Sequence, residues 1–119
     1  MLIAFSTDGK NPDARIHQRF GRAPGFLIVD TETEEFDYLS NSDNLSRPGG
    51  AGIQTSKLLA DRGVKAVVSG NIGPSAHGTL SQAGIDIYSG VEGKISDILK
   101  KFKEESLKRT EAPNVRKHW

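Results

Sequence analysis

Between residues 9 and 25 the chain reads GKNPDARIHQRFGRAPG. Lys10, Arg15, Arg19 and Arg22 stand there against one acid, Asp13, a net charge of +3 with His17 counted as neutral. Guanidinium neighbours disfavour a charged imidazole, and a neutral imidazole is the form that a metal accepts. His17 is therefore a candidate metal ligand, and the arginines are a candidate cradle for negative charge. Further on, Arg47 precedes Gly49, Gly50 and Gly52 in RPGGAGIQTSK. That is a glycine-rich entry to a helix, where backbone N–H groups and the helix dipole favour an anion. Asn71, Gly73 and His77 lie in NIGPSAHG, at a second helix start. The dipole there disfavours charge on His77, which could equally be a packing residue. A merely solvated loop would carry the same basic residues. The chemistry depends on whether these segments meet.

Several other chemistries are excluded. The glycine-rich segment lacks the nucleotide P-loop pattern, because Thr55 and Ser56 precede Lys57 and no glycine stands directly before the lysine. There are no cysteines, hence no disulfide, no thiolate nucleophile and no cluster held by protein thiolates. The three histidines have no paired metal-site spacing, and no serine sits in a nucleophile-elbow motif. Asp8, Asp43 and Glu92 are the carboxylates near the proposed site. A two-metal hydrolase needs several that converge, and the first strand, LIAFS, holds none.

Positioning these residues requires a folded domain. At 119 residues, with 35% hydrophobic and 26% charged residues, the chain suits a single modest core. A formal net charge of +1 gives no global pull toward nucleic acid. The opening MLIAFSTDGK has no basic flank and too short an apolar run for a signal peptide. No stretch approaches the ~20 apolar residues of a membrane helix. The expectation is a cytoplasmic protein.

Apolar runs predict strands at 2–6, 25–30, 35–40, 65–70 and 85–90. The short polar link TETEE makes the second and third a hairpin, with Phe36 and Tyr38 on one face and Asp37 on the other. Residues 40–50 read as a loop. Helices are predicted from about Ala51 to Arg62, from Pro74 to about Ala83, and over 94–109, where Ile95, Ile98, Leu99 and Phe102 form one stripe. Ile53 falls opposite the stripe of its own helix, toward solvent or a partner. The domain is placed at 1–109, with a flexible tail over 110–119 that contains His118. The order β-β-β-α-β-α-β-α predicts a five-stranded mixed sheet. Its first three strands form an antiparallel meander, its last two run parallel to the first, and helices cover both faces. All the glycine-rich and basic loops then leave one end of the sheet, where open α/β sheets bind ligands.

Three segments in this order, RFGRAPGFLIVD, GGAGIQTSKLLADRGVKAVVSGNIGPSA and LSQAGIDIYSG, resemble the dinitrogenase iron–molybdenum cofactor biosynthesis family in its small single-domain form. The resemblance covers roughly residues 1–102. It implies a ribonuclease H-like α/β fold and the carriage of an iron–molybdenum or related iron–sulfur cofactor, without catalysis. Cofactor-assembly proteins are the implied partners. In nitrogenase members a candidate ligand histidine directly precedes the Phe-Gly pair. Here that position is Arg19, with His17 two residues earlier. The implied lining is His17, Arg19, Phe20, Gly21 and Arg22 with Arg47, Gly49, Gly50 and Gly52, closed by Asn71, Gly73 and His77. A cofactor bound without cysteines must arrive preassembled, held by basic groups and backbone amides. Two other classes stay open from the residues: a nuclease or phosphohydrolase of the same fold, and a regulatory module presenting Ile53 and the last helix to a partner.

Overall fold

A computed structural model describes residues 1–45 and 51–111. Arg47, Gly49, Gly50 and His118 lie outside the described residues.

Five strands form one sheet: β1 (Leu2–Thr7), β2 (Gly25–Asp30), β3 (Phe36–Ser40), β4 (Val64–Val68) and β5 (Asp86–Tyr88). Their order across the sheet is β3-β2-β1-β4-β5. β1 pairs antiparallel with β2, and β2 with β3, while β4 runs parallel to β1 and β5 to β4. The meander and the two parallel additions are as the sequence predicts. The hairpin turns through Glu34 at φ 62, with Glu34 N–H donating to Asp30 O at 2.8 Å.

Both faces of the sheet are covered, so its central strands are apolar nearly throughout. Ala4, Phe26, Ile28 and Val67 join Leu59 of α2 (Ala51–Asp61) and Ala76 and Leu80 of α3 (Pro74–Gln82) in one core layer. Ile3, Phe5, Leu27, Val29, Ala66 and Val68 join Ile95, Ile98 and Leu99 of α4 (Ile95–Lys103) in the other. Each of these large side chains contributes about 1.5–3 kcal/mol on burial. The β1–β4 register slips between Leu2↔Val64 and Ile3↔Ala66. The slip leaves Lys65 exposed and puts Val64 on the same face as Val67.

Two predicted elements differ. The 40–50 stretch contains a one-turn helix, α1 (Ser42–Leu45). Ile53, read as facing solvent or a partner, is half-buried. The last helix stops at Lys103 rather than 109, because no apolar residue follows Phe102 at i+3 or i+4. Glu105 takes a left-handed φ of 59, and Leu107 then packs beside the α4 layer. Thr110, assigned by sequence to the tail, donates its N–H to Ile87 O at 2.6 Å, alongside β5.

Strand directions put four connecting segments at one end of the sheet: 8–24, 41–45, 69–73 and 89–94. Thr7, Gly25 and Ser40 align there across β1, β2 and β3. Phe5, Val68 and Tyr88 align across β1, β4 and β5.

Candidate functional site: a stitched basic rim

The first loop is bound down along its length. Ile16 N–H donates to Gly93 O at 2.8 Å, Ile95 N–H to Ala14 O at 2.9 Å and Ser96 N–H to Pro12 O at 2.9 Å. Next, Asn71 N–H donates to Gln18 O at 2.7 Å and Phe20 N–H to Asn71 O at 3.0 Å. At its far end Arg22 Nη1 reaches Leu45 O at 3.5 Å. The basic loop therefore touches the connections after β3, β4 and β5. The segments that the sequence could only suppose to be neighbours do meet.

His17 sits where this loop folds back over the end of β1. Its N–H donates to Ser6 O at 2.9 Å, and the Ser6 hydroxyl donates to His17 O at 2.8 Å. The hydroxyl of Ser69 lies 2.8 Å from that of Ser6, tying β1 to β4 beneath the loop. The imidazole is half-buried, with Nδ1 3.1 Å from both the amide nitrogen and the carbonyl oxygen of Arg19. Nε2 lies 3.8 Å from the Asp8 carboxylate. The charge count over 9–25 stops one residue short of this acid.

The other sequence candidates divide. Arg19 and Arg22 are exposed, and Gly21, Asn71 and Gly73 are half-buried at the rim. Gly73 caps α3 without a side-chain bond, ahead of Pro74. Lys10 lies 5.3 Å above the Tyr38 ring, a cation–π contact that holds its charge near the mouth. Phe20 is a correction to the lining. It is 1% exposed and packs against Phe26 at 5.3 Å between ring centroids, so it anchors the loop in the core. Gly52 also has a packing role. A Cβ there would stand 3.2 Å from that of Ala76, so the glycine lets α2 and α3 approach. His77 leaves the constellation, because it shares a helix flank with Ser81, four residues on. Both line a cavity of about 300 Å³ with Asp86, Arg109 and Thr110 beside β5.

Sequence reasoning missed Asn41, which is 1% exposed. Its Nδ2 donates to Ala23 O at 3.0 Å, and its Oδ1 accepts from Asn44 Nδ2 at 2.9 Å and from Thr55 Oγ1 at 3.1 Å. One buried amide thus joins the end of the basic loop, α1 and α2. Within SNSDN it looked like any loop polar residue.

Among the described residues no three His, Cys, Asp or Glu side chains are grouped to hold a metal ion. No described helix is long and apolar enough to cross a membrane.

The mixed α/β sheet carries basic and glycine-bearing loops at the carboxyl ends of its parallel strands, the end at which open α/β sheets commonly bind ligands. The chain belongs to the family described as dinitrogenase iron-molybdenum cofactor, whose model matches residues 1–105. It is 35% identical over 113 residues to the uncharacterized protein MJ0580 of Methanocaldococcus jannaschii, covering 93% of this chain and 92% of that one. Its fold is similar to the apo form of the orange protein from Desulfovibrio gigas, with a TM-score of 0.94, 31% identity and 96% of each chain covered. It is also similar to a Thermotoga protein provisionally named NifB and placed in the DUF35 family, with a TM-score of 0.79 and 27% identity over 96% of this chain and 98% of that one.

Proposed function

We propose that this protein binds and carries a preassembled anionic metal–sulfur cofactor, of the iron–molybdenum or a related iron–sulfur type, at the basic rim and without catalysing a reaction. The observation that carries this reading is the stitching of the loop bearing Lys10, His17, Arg19 and Arg22 to the connections after β3, β4 and β5. It gathers positive side chains and a helix start around one mouth, where negative charge is stabilised.

The donor set fits such a guest. With no cysteine and no three-ligand group among the described residues, the rim suits a cluster that brings its own sulfur. His17 is the candidate contact to the cofactor, with Arg19, Arg22 and Lys10 holding its charge. A guest held mainly by hydrogen bonds and charge can be handed on, which suits exchange with cofactor-assembly proteins in the cytoplasm. Family membership supports the ligand class, and a fold neighbour solved in an apo form supports a ligand-binding role without naming the ligand. The ribonuclease H-like assignment belongs to this proposal and is supported by the meander followed by two parallel strands.

Anaerobic titration with isolated iron–molybdenum cofactor, followed by absorbance and gel filtration, tests the reading. Co-elution with the wild type, weakened at least tenfold by joint His17→Ala and Arg19→Ala substitution, is expected. No co-elution, or co-elution unchanged by the double substitution, would overturn it.

A further inference from the structure

We propose that Asp8 is a positioning residue that holds His17 in the tautomer with its proton on Nε2. On this view the rim meets its ligand with an N–H donor rather than with a metal-binding lone pair. The inference rests on the carrier reading and names how that site recognises its guest.

A neutral imidazole has one donor nitrogen and one acceptor. Around Nδ1 the backbone of Arg19 is even-handed, with its N–H and its C=O each 3.1 Å away. If the proton is on Nε2, Nδ1 accepts from Arg19 N–H. If the proton is on Nδ1, that nitrogen donates to Arg19 O. The ring can satisfy Nδ1 either way without moving, so Nδ1 does not choose.

The choice falls at Nε2, 3.8 Å from the Asp8 carboxylate. An N–H dipole facing a carboxylate is attracted and a lone pair is repelled, so the acid favours Nε2–H. At 3.8 Å no hydrogen bond closes, so Asp8 biases the proton without consuming it. Asp8 is also 62% exposed, free to turn into solvent when an anion takes its place beside the ring. The local fold sets this geometry. The Thr7↔Ile16 antiparallel bridge and the His17 N–H to Ser6 O bond bring residue 17 back over the strand end that carries Asp8.

The ligand class follows. A divalent cation would need the lone pair of Nε2, which this arrangement withholds. An anion whose sulfide or oxide atoms accept hydrogen bonds can take the place of the exposed Asp8 carboxylate beside Nε2–H, with Arg19 and Arg22 on the same loop.

Nitrogen-15 spectra of the histidine side chains read the tautomer directly, in a pH series taken until the shifts stop changing. His17 is expected with its proton on Nε2 in the wild type. In Asp8→Ala the second tautomer should appear at a higher population than in the wild type. A wild-type ring protonated on Nδ1, or an Asp8→Ala ring still wholly Nε2-protonated, overturns the proposal. The binding arm uses isolated iron–molybdenum cofactor. His17→Gln, whose amide nitrogen can replace the Nε2–H donor, should stay within about threefold of the wild type, while His17→Ala loses about tenfold or more. Equal losses in both variants would make His17 a metal ligand and sink this inference, leaving the carrier reading intact. Failure of the wild type to bind would sink the carrier reading instead, with the spectra still deciding what Asp8 does.

Discussion

Gly70→Ala tests the joint on which the rim depends. A Cβ at residue 70 would stand 2.7 Å from both the Cα and the carbonyl oxygen of Gln18. Ordinary contact needs about 3.5 Å or more, so the two loops must part by roughly 0.8 Å. The Gln18 side-chain oxygen, which is also in the way, can rotate aside, but these two backbone atoms cannot. The bonds at risk are Asn71 N–H to Gln18 O and Phe20 N–H to Asn71 O, each worth about 0.5–1.5 kcal/mol. Overpacking adds about 1–3 kcal/mol, giving an expected loss of about 2–6 kcal/mol. Urea unfolding reads the loss as a lowered midpoint at unchanged slope. Gly78→Ala is the control. Nothing lies within 4 Å of a Cβ there, and the residue is inside α3, so this variant should gain about 0.5–1 kcal/mol. A Gly70→Ala protein within about 0.5 kcal/mol of the wild type would refute the close approach of the two loops and the stitching built on it.

Three further outcomes follow from the same geometry. Asn41→Ala strands the buried Ala23 carbonyl and frees Asn44 and Thr55, so it should cost about 1–3 kcal/mol in the same assay. Phe20→Ala empties a core site beneath the rim and should cost about 3–5 kcal/mol, as a packing residue does and a surface contact does not. Burial first, and then the Asp86 carboxylate, raise the Tyr88 phenol above its ordinary value, with Arg109 acting in the opposite direction. Folding therefore favours the neutral phenol. That stability is fully present below the unfolded value of about 10 and is lost as pH rises through the folded one. Tyrosinate absorbance in a Tyr38→Phe background should place the Tyr88 midpoint above 10, and Tyr88→Phe should remove that part of the alkaline loss.

The parts of the fold that could be read from sequence were those with local causes. GFLIVD is apolar between a glycine and an acid, and its strand spans Gly25–Asp30 as predicted. The α4 stripe was legible from Ile95, but its end was not. The apolar stripe ends at Phe102, but charged residues continue past it in good helix-forming types, and the packing of Leu107 accompanies the turn at Glu105. The rim was legible as charge and glycine content, and its gathering followed from strand order. What could not be read was contact across distance. Asp8 and His17 are nine residues apart and meet through a loop that folds back. Asn41 joins elements 14 to 18 residues away on either side. The glycine read as part of a cradle, Gly52, lets two helices pack closely, and Gly70, which the sequence did not single out, lets two rim loops touch.

Anaerobic addition of isolated iron–molybdenum cofactor to nitrogen-15-labelled protein, followed amide by amide, tests the carrier account most directly. The account places the changed signals at residues 8–22, 41–45 and 69–73, with the hairpin turn at 31–35 and the turn at 61–63 unmoved. Changes centred on those two turns, or no saturable change anywhere, would contradict it.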